Sequence, residues 1–157
     1  MAALDIDTTI QNVKSMLSGL TAWQAICGVA DSTRAAERIY EYGVDETEHT
    51  LCPCILLDLS DQTLPWNGGK FQGNVTIEVR IELDIPQANR ATYSTQGRWF
   101  WQKLQALLAE IDTTVNATGT LMIDEITIPL KPGRIDPDTN VGRCEWMTIL
   151  GFRVYLK

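Results

Sequence analysis

Residues 73–85 read GNVTIEVRIELDI, and their alternation decides the fold. Val75, Ile77, Val79, Ile81, Leu83 and Ile85 are apolar, whereas Asn74, Thr76, Glu78, Arg80, Glu82 and Asp84 between them are polar. Side chains on a strand point to opposite faces in turn, so the stretch predicts one long strand with an apolar, largely β-branched face for a core and a charged face for water or a partner. Pro86 stops the strand. Over residues 92–111, Tyr93, Phe100, Leu104, Leu107, Leu108 and Ile111 then recur at three- and four-residue spacing, which predicts an amphipathic helix able to cover the apolar face. Trp99 and Trp101 flank Phe100 and widen the stripe. That is the pattern of a helix buried on more than one side, under the N-terminal helices or in a subunit contact.

Upstream, Asp5 or Asp7 can cap a first helix that places Ile6, Ile10, Val13 and Leu17 on one face and ends at Gly19. Residues 20–28, LTAWQAICG, predict a brief helix or turn closing the core. Asp31 or Ser32 is expected to cap another helix running through Ala35, Ala36, Ile39 and Tyr40 to a stop at Gly43. Residues 52–59, CPCILLDL, predict a short strand; Pro53 cannot donate to a ladder, so the strand starts there or lies at an edge. Residues 60–73 are rich in turn formers and carry Trp66, with a hairpin turn expected at Gly68 and Gly69.

Downstream, residues 119–130 predict a strand whose apolar phase changes between Leu121 and Ile123 and the later Ile126, Ile128 and Leu130, which calls for a bulge near Asp124 and Glu125. In residues 144–157 a closing strand puts Trp146, Thr148, Leu150, Phe152, Val154 and Leu156 on one face. Between these two strands, residues 131–142 are long for a hairpin connection, which marks them for function. The expected fold is α+β: a mostly antiparallel sheet of about four strands with helices packed on one face, a two-layer sandwich formed by residues 1–157 as one domain.

Composition narrows the function. With 13 basic against 20 acidic residues and a formal charge of −7, the chain lacks the clustered Lys and Arg that tight phosphate binding needs. No window approaches a membrane span, and the first seven residues lack the basic region of a signal peptide, so a cytosolic setting is expected. Cys27, Cys52, Cys54 and Cys144 are accordingly expected as free thiols, and no metal is expected from them.

Catalytic patterns are equally sparse. The lone histidine, His49, lies in an acidic loop with Asp45, Glu46 and Glu48 and no partner motif for nucleophilic chemistry. Gly68, Gly69 and Lys70 lack the first glycine and the following Ser or Thr of a phosphate loop. Asp136, Asp138 and Asn140 open like a calcium loop, but Val141 stands where glycine is needed and Met147 where the bidentate glutamate belongs. Asn74 and Asn116 head glycosylation sequons, which matter only for an exported chain.

The N-terminal helix, the AWQAICG segment before an AAERI helix, the short strand entering a Pro- and Gly-rich loop, the long alternating strand, the helix containing WFW and the two closing strands resemble the tail terminator (tail completion, head–tail joining) proteins of long-tailed bacteriophages. The resemblance spans most of the chain and rests on element order, size and texture. It implies a structural virion protein and no enzyme, with no cofactor: a homo-oligomeric ring, usually a hexamer, that caps the tail tube, stops its polymerisation and offers a surface to the head connector. Its partners would be the tail tube protein and the head–tail connector protein. DNA would pass without being tightly bound, with no membrane involved and assembly in the bacterial cytoplasm. Trp66, Arg134, Asp136, Asp138 and Asn140, in the two long loops, are then candidates to meet neighbouring subunits or the tube, beside the commoner outcome of a Trp66 that faces the core and anchors its loop; Glu78, Arg80, Glu82 and Asp84 are candidates to face the lumen, beside the commoner outcome of an ordinary solvated sheet face. A small acidic inhibitor of the immunity type and an α+β ligand-binding module share the size and charge and stand as alternatives.

Overall fold

The computed structural model describes residues 6–41, 53–59, 66–67, 70–71, 74–118, 121–127 and 145–155. Helix α1 spans Ile6–Gly19, with Ile10, Val13 and Leu17 fully buried at the expected spacing. Asp7 sits inside its first turn, where a negative charge suits the helix dipole, rather than at the cap; Asp5 lies outside the described residues. Leu20 leads into α2, Thr21–Cys27, which buries Trp23 and spends its indole N–H on the carbonyl of Ala35 at 3.2 Å. Gly28 ends α2 at φ 68°, a conformation that costs glycine little, and its N–H and that of Val29 return to the carbonyls of Ala25 and Gln24.

Asp31 does cap α3, its carboxylate accepting from the N–H of Arg34 at 2.9 Å, but α3 is only Ser32–Ala36. The helix expected to continue through Ile39 and Tyr40 gives way to strand β1, Ile39–Glu41. The physical reason is pairing: Ile55 donates to the carbonyl of Arg38 at 2.9 Å, and Ile39 enters the core opposite Ile55. A short helix recovers little of its nucleation cost, whereas a β-branched residue buried in a ladder gains both packing and hydrogen bonds.

Strand β2, Cys54–Leu59, begins immediately after Pro53, so the missing donor falls outside its ladder. Strands β3, Trp66–Asn67, and β4, Lys70–Phe71, pair antiparallel around residues 68–69, as the turn formers there predict. The long strand is β5, Asn74–Asp84; Ile77, Val79, Ile81 and Leu83 are fully buried, as is Ile85 just beyond it. A 3-10 turn at Gln87–Asn89 follows Pro86. Helix α4 is Tyr93–Thr118, about two turns longer than the apolar stripe to Ile111 suggested, and Val115 continues the buried row of Phe100, Leu104, Leu107 and Ile111. Its first turn is fixed by Thr92 and Thr95, each side-chain oxygen accepting from the other's backbone N–H.

The fold is α+β. The sheet has five strands in the order β1-β2-β5-β7-β6, where β6 is Leu121–Thr127 and β7 is Glu145–Tyr155. Against the expected mostly antiparallel sheet of about four strands, β1 adds a fifth at an edge and runs parallel to β2, while β2–β5, β5–β7 and β6–β7 are antiparallel. The register of β6 against β7 shifts between Ile123 and Glu125, where the change of apolar phase placed a bulge. Strands β5 and β6 run the same way with β7 inserted between them, so α4 is the crossover of a split β-α-β unit. One apolar cluster joins α1, α2 and α4 to the face of the sheet that carries Ile39, Ile55, Leu57, Ile77, Val79, Ile81, Leu83 and Ile85.

Candidate interaction surface

The other face of β5 carries Glu78, Arg80, Glu82 and Asp84, all half-buried. Strand pairing sets their neighbours. Across β2, Asp58 stands opposite Glu78, Leu56 opposite Arg80 and Cys54 opposite Glu82. Across β7, Gly151, Ile149, Met147 and Glu145 hold the register positions of Glu78, Arg80, Glu82 and Asp84. On the far side of Leu56, β1 contributes Tyr40. The strand read alone predicted a plain charged face; in the sheet, Leu56 stands beside Arg80 and interrupts the charged column, with Ile149 at the register position on the other side.

The charges are also partly matched. Arg80 approaches Glu78 at 3.8 Å, a long contact of the half-exposed kind that contributes little. Asp84 is held more firmly, by Arg90 at 3.1 Å. The same guanidinium donates to the carbonyl of Ile85 at 2.7 Å and to the side chain of Gln87 at 3.3 Å, so Arg90 closes the end of β5 and anchors the turn into α4. Nothing in the periodicity marks Arg90, because its role depends on the chain reversing at Pro86. The thiol of Cys54 lies 3.9 Å from a carboxylate oxygen of Glu82, a weak donor on a strong acceptor. Among the residues whose side chains are described, and with Asp58 and Arg90 included, this face carries four carboxylates against two guanidiniums.

Of Trp66 the backbone is described, in β3, paired with Phe71. Arg134, Asp136, Asp138 and Asn140 lie outside the described residues, as do His49, Cys52 and Cys144. Cys27 and Cys54 are free thiols. Burial pushes the Cys27 thiol from its ordinary 9.0 up to about 11, with Arg38 opposing the rise and Cys54 adding to it. Such a group stays protonated at neutral pH, the opposite of an activated nucleophile. Among the described residues, no group of three or more His, Cys, Asp and Glu side chains is placed to hold a metal ion, and no helix is long and apolar enough to cross a membrane.

On the helical side, Trp101 is 48% exposed, while Trp99 is half-buried against the core. Within one chain, the widened stripe of α4 is therefore covered on the Trp99 flank and open on the Trp101 flank. Comparison with protein-family models, with curated proteins and with solved structures gives no match.

Proposed function

We propose that this chain is a two-layer structural subunit of the phage tail terminator kind. In that role it forms a ring, with six copies as the working number, on the end of a tail tube, halts tube growth and receives the head connector. The observation that carries the reading is the division of labour in the sheet. One face is committed to the helical core, while the other holds Glu78, Arg80, Glu82 and Asp84 in a half-buried, partly neutralised array suited to a protein surface or a lumen rather than to bond making. Trp66 and the 131–142 loop, with Arg134, Asp136, Asp138 and Asn140, are assigned to contacts with neighbouring subunits or the tube.

The test is tube assembly. Tail tube protein polymerised with this chain should give tubes that stop growing and end in a ring visible by electron microscopy. Tubes of unchanged length and unchanged ends would overturn the reading. The acid-rich face also favours a second reading, an inhibitor that docks one basic protein, which would bind with one-to-one stoichiometry and ignore tail tubes.

A further inference from the structure

The open flank of α4 has a pattern of its own. Arg98, Trp101, Gln105, Leu108 and Asp112 follow one another at three- and four-residue spacing, so they form one stripe about 21 Å long on the helix surface. Arg98, Gln105 and Asp112 are exposed, Trp101 is 48% exposed, and Leu108 is partly buried, packed against the core from below. Trp101 is the large hydrophobic residue left exposed among the described side chains. The stripe reads basic, aromatic, amide, aliphatic, acidic, and that order complements itself when reversed.

We infer that this stripe is a contact between two copies of the chain, related by a two-fold axis at Gln105, with the α4 helices antiparallel. In that arrangement Trp101 of each copy packs on Leu108 of the other, and Arg98 of each meets Asp112 of the other. Gln105 faces its own counterpart, and an amide, being both donor and acceptor, can bond to itself. The two-fold uses every residue of the stripe twice, which is what an isologous contact demands. A parallel alignment would instead set Arg98 against Arg98 and Asp112 against Asp112. The neighbouring flank of α4 is already engaged, since Glu110 accepts from the N–H groups of α2, so the open stripe is the side from which a second helix can approach.

This contact closes after two copies and builds no ring, so it stands apart from the tail reading. One helical stripe falls short of the roughly 800 Å² per partner of a standard stable interface. The dimer should therefore be concentration-dependent, and sedimentation equilibrium of the full chain over a wide concentration range is the measurement. The expected result is a monomer–dimer equilibrium that Trp101→Glu weakens at least about ten-fold, the effect of losing a central aromatic anchor. Arg98→Glu and Asp112→Arg should each weaken it, and the double variant should regain it, because both symmetry-related pairs are reversed together. Circular dichroism and thermal unfolding, recorded at a concentration where the parent is monomeric, separate lost association from lost folding. A monomer at every concentration, or a dimer indifferent to Trp101→Glu, would overturn the inference. Single variants that weaken the dimer without rescue in the double would overturn the antiparallel register. A hexamer indifferent to Trp101→Glu would also overturn it while leaving the ring reading intact; a Trp101-dependent dimer that leaves tail tubes unchanged would do the reverse.

Discussion

The carboxylate of Glu110, in the C-terminal half of α4, accepts from the backbone N–H of Thr21 at 2.8 Å and of Ala22 at 2.7 Å. Helix α2 begins at Thr21 after Leu20, which has no side chain able to cap it, so a residue 89 positions away supplies what the local sequence lacks. Glu110→Ala should cost about 1 kcal/mol, since the freed donors sit near the surface and water can partly replace the carboxylate. Glu110→Gln, keeping one acceptor oxygen, should cost less, and urea unfolding of the two variants would show the difference. A second residue-scale expectation concerns Cys27, whose folded thiol titrates near 11 against an ordinary 9.0. Above pH 9 the unfolded chain releases this proton before the folded chain does, so stability is complete below pH 9 and falls as pH rises toward 11. Cys27→Ser should lose less stability than the parent between pH 9 and 11; identical alkaline profiles would remove Cys27 as a cause.

At the scale of elements, the core unit is β5 with α4. Leu104 on the helix and Val79 on the strand are both fully buried in one cluster. Leu104→Ala or Val79→Ala should each destabilise the protein by on the order of 1 to 4 kcal/mol, read as a lower urea midpoint, through lost burial and a residual cavity. These two elements were legible because β5 buries one face from Ile77 to Leu83 and α4 one stripe from Phe100 to Val115, so the alternation of 73–85 and the stripe from Phe100 to Ile111 state the burial directly. The bulge near Asp124 was legible for the same reason, as a change of phase. Strand β1 was not: Ile39 and Tyr40 fit a helical continuation of Ala35 and Ala36 equally well, and what decides between them is a strand that arrives from residue 54 onward. Topology escaped as well. Strand β7 lies between β5 and β6, a placement set by pairing between segments far apart in sequence, which leaves no trace in local periodicity. The polar face was half legible: its carboxylates follow from alternation, while Leu56 crossing them and Arg90 closing its end follow only from pairing and the chain reversal.

At the scale of the whole molecule, a net charge of −7 must be placed somewhere, and the open face of the sheet takes a share of it through Asp58, Glu78, Glu82 and Asp84. If subunits in a ring turn that face inward, the wall repels phosphates, and DNA slides past instead of sticking. The structure refines how this is tested. Asp84 holds Arg90, which in turn ties down Ile85, so reversing Asp84 would disturb the end of β5 as well as the field. Glu78 and Glu82 are better probes, because both lie within the strand, away from the turn that Arg90 holds, and the contact of Glu78 to Arg80 is a long one at 3.8 Å. Glu78→Lys with Glu82→Lys shifts the charge of each subunit by four units, about 24 for a ring of six, enough to turn a repulsive wall into one that binds phosphates with a strong salt dependence. The expected outcome is rings that form as before, retain DNA at low ionic strength and release it as salt rises. Normal DNA passage at low salt would take this face out of the lumen, whereas loss of the rings with folding intact would place Glu78 and Glu82 in the contact between subunits.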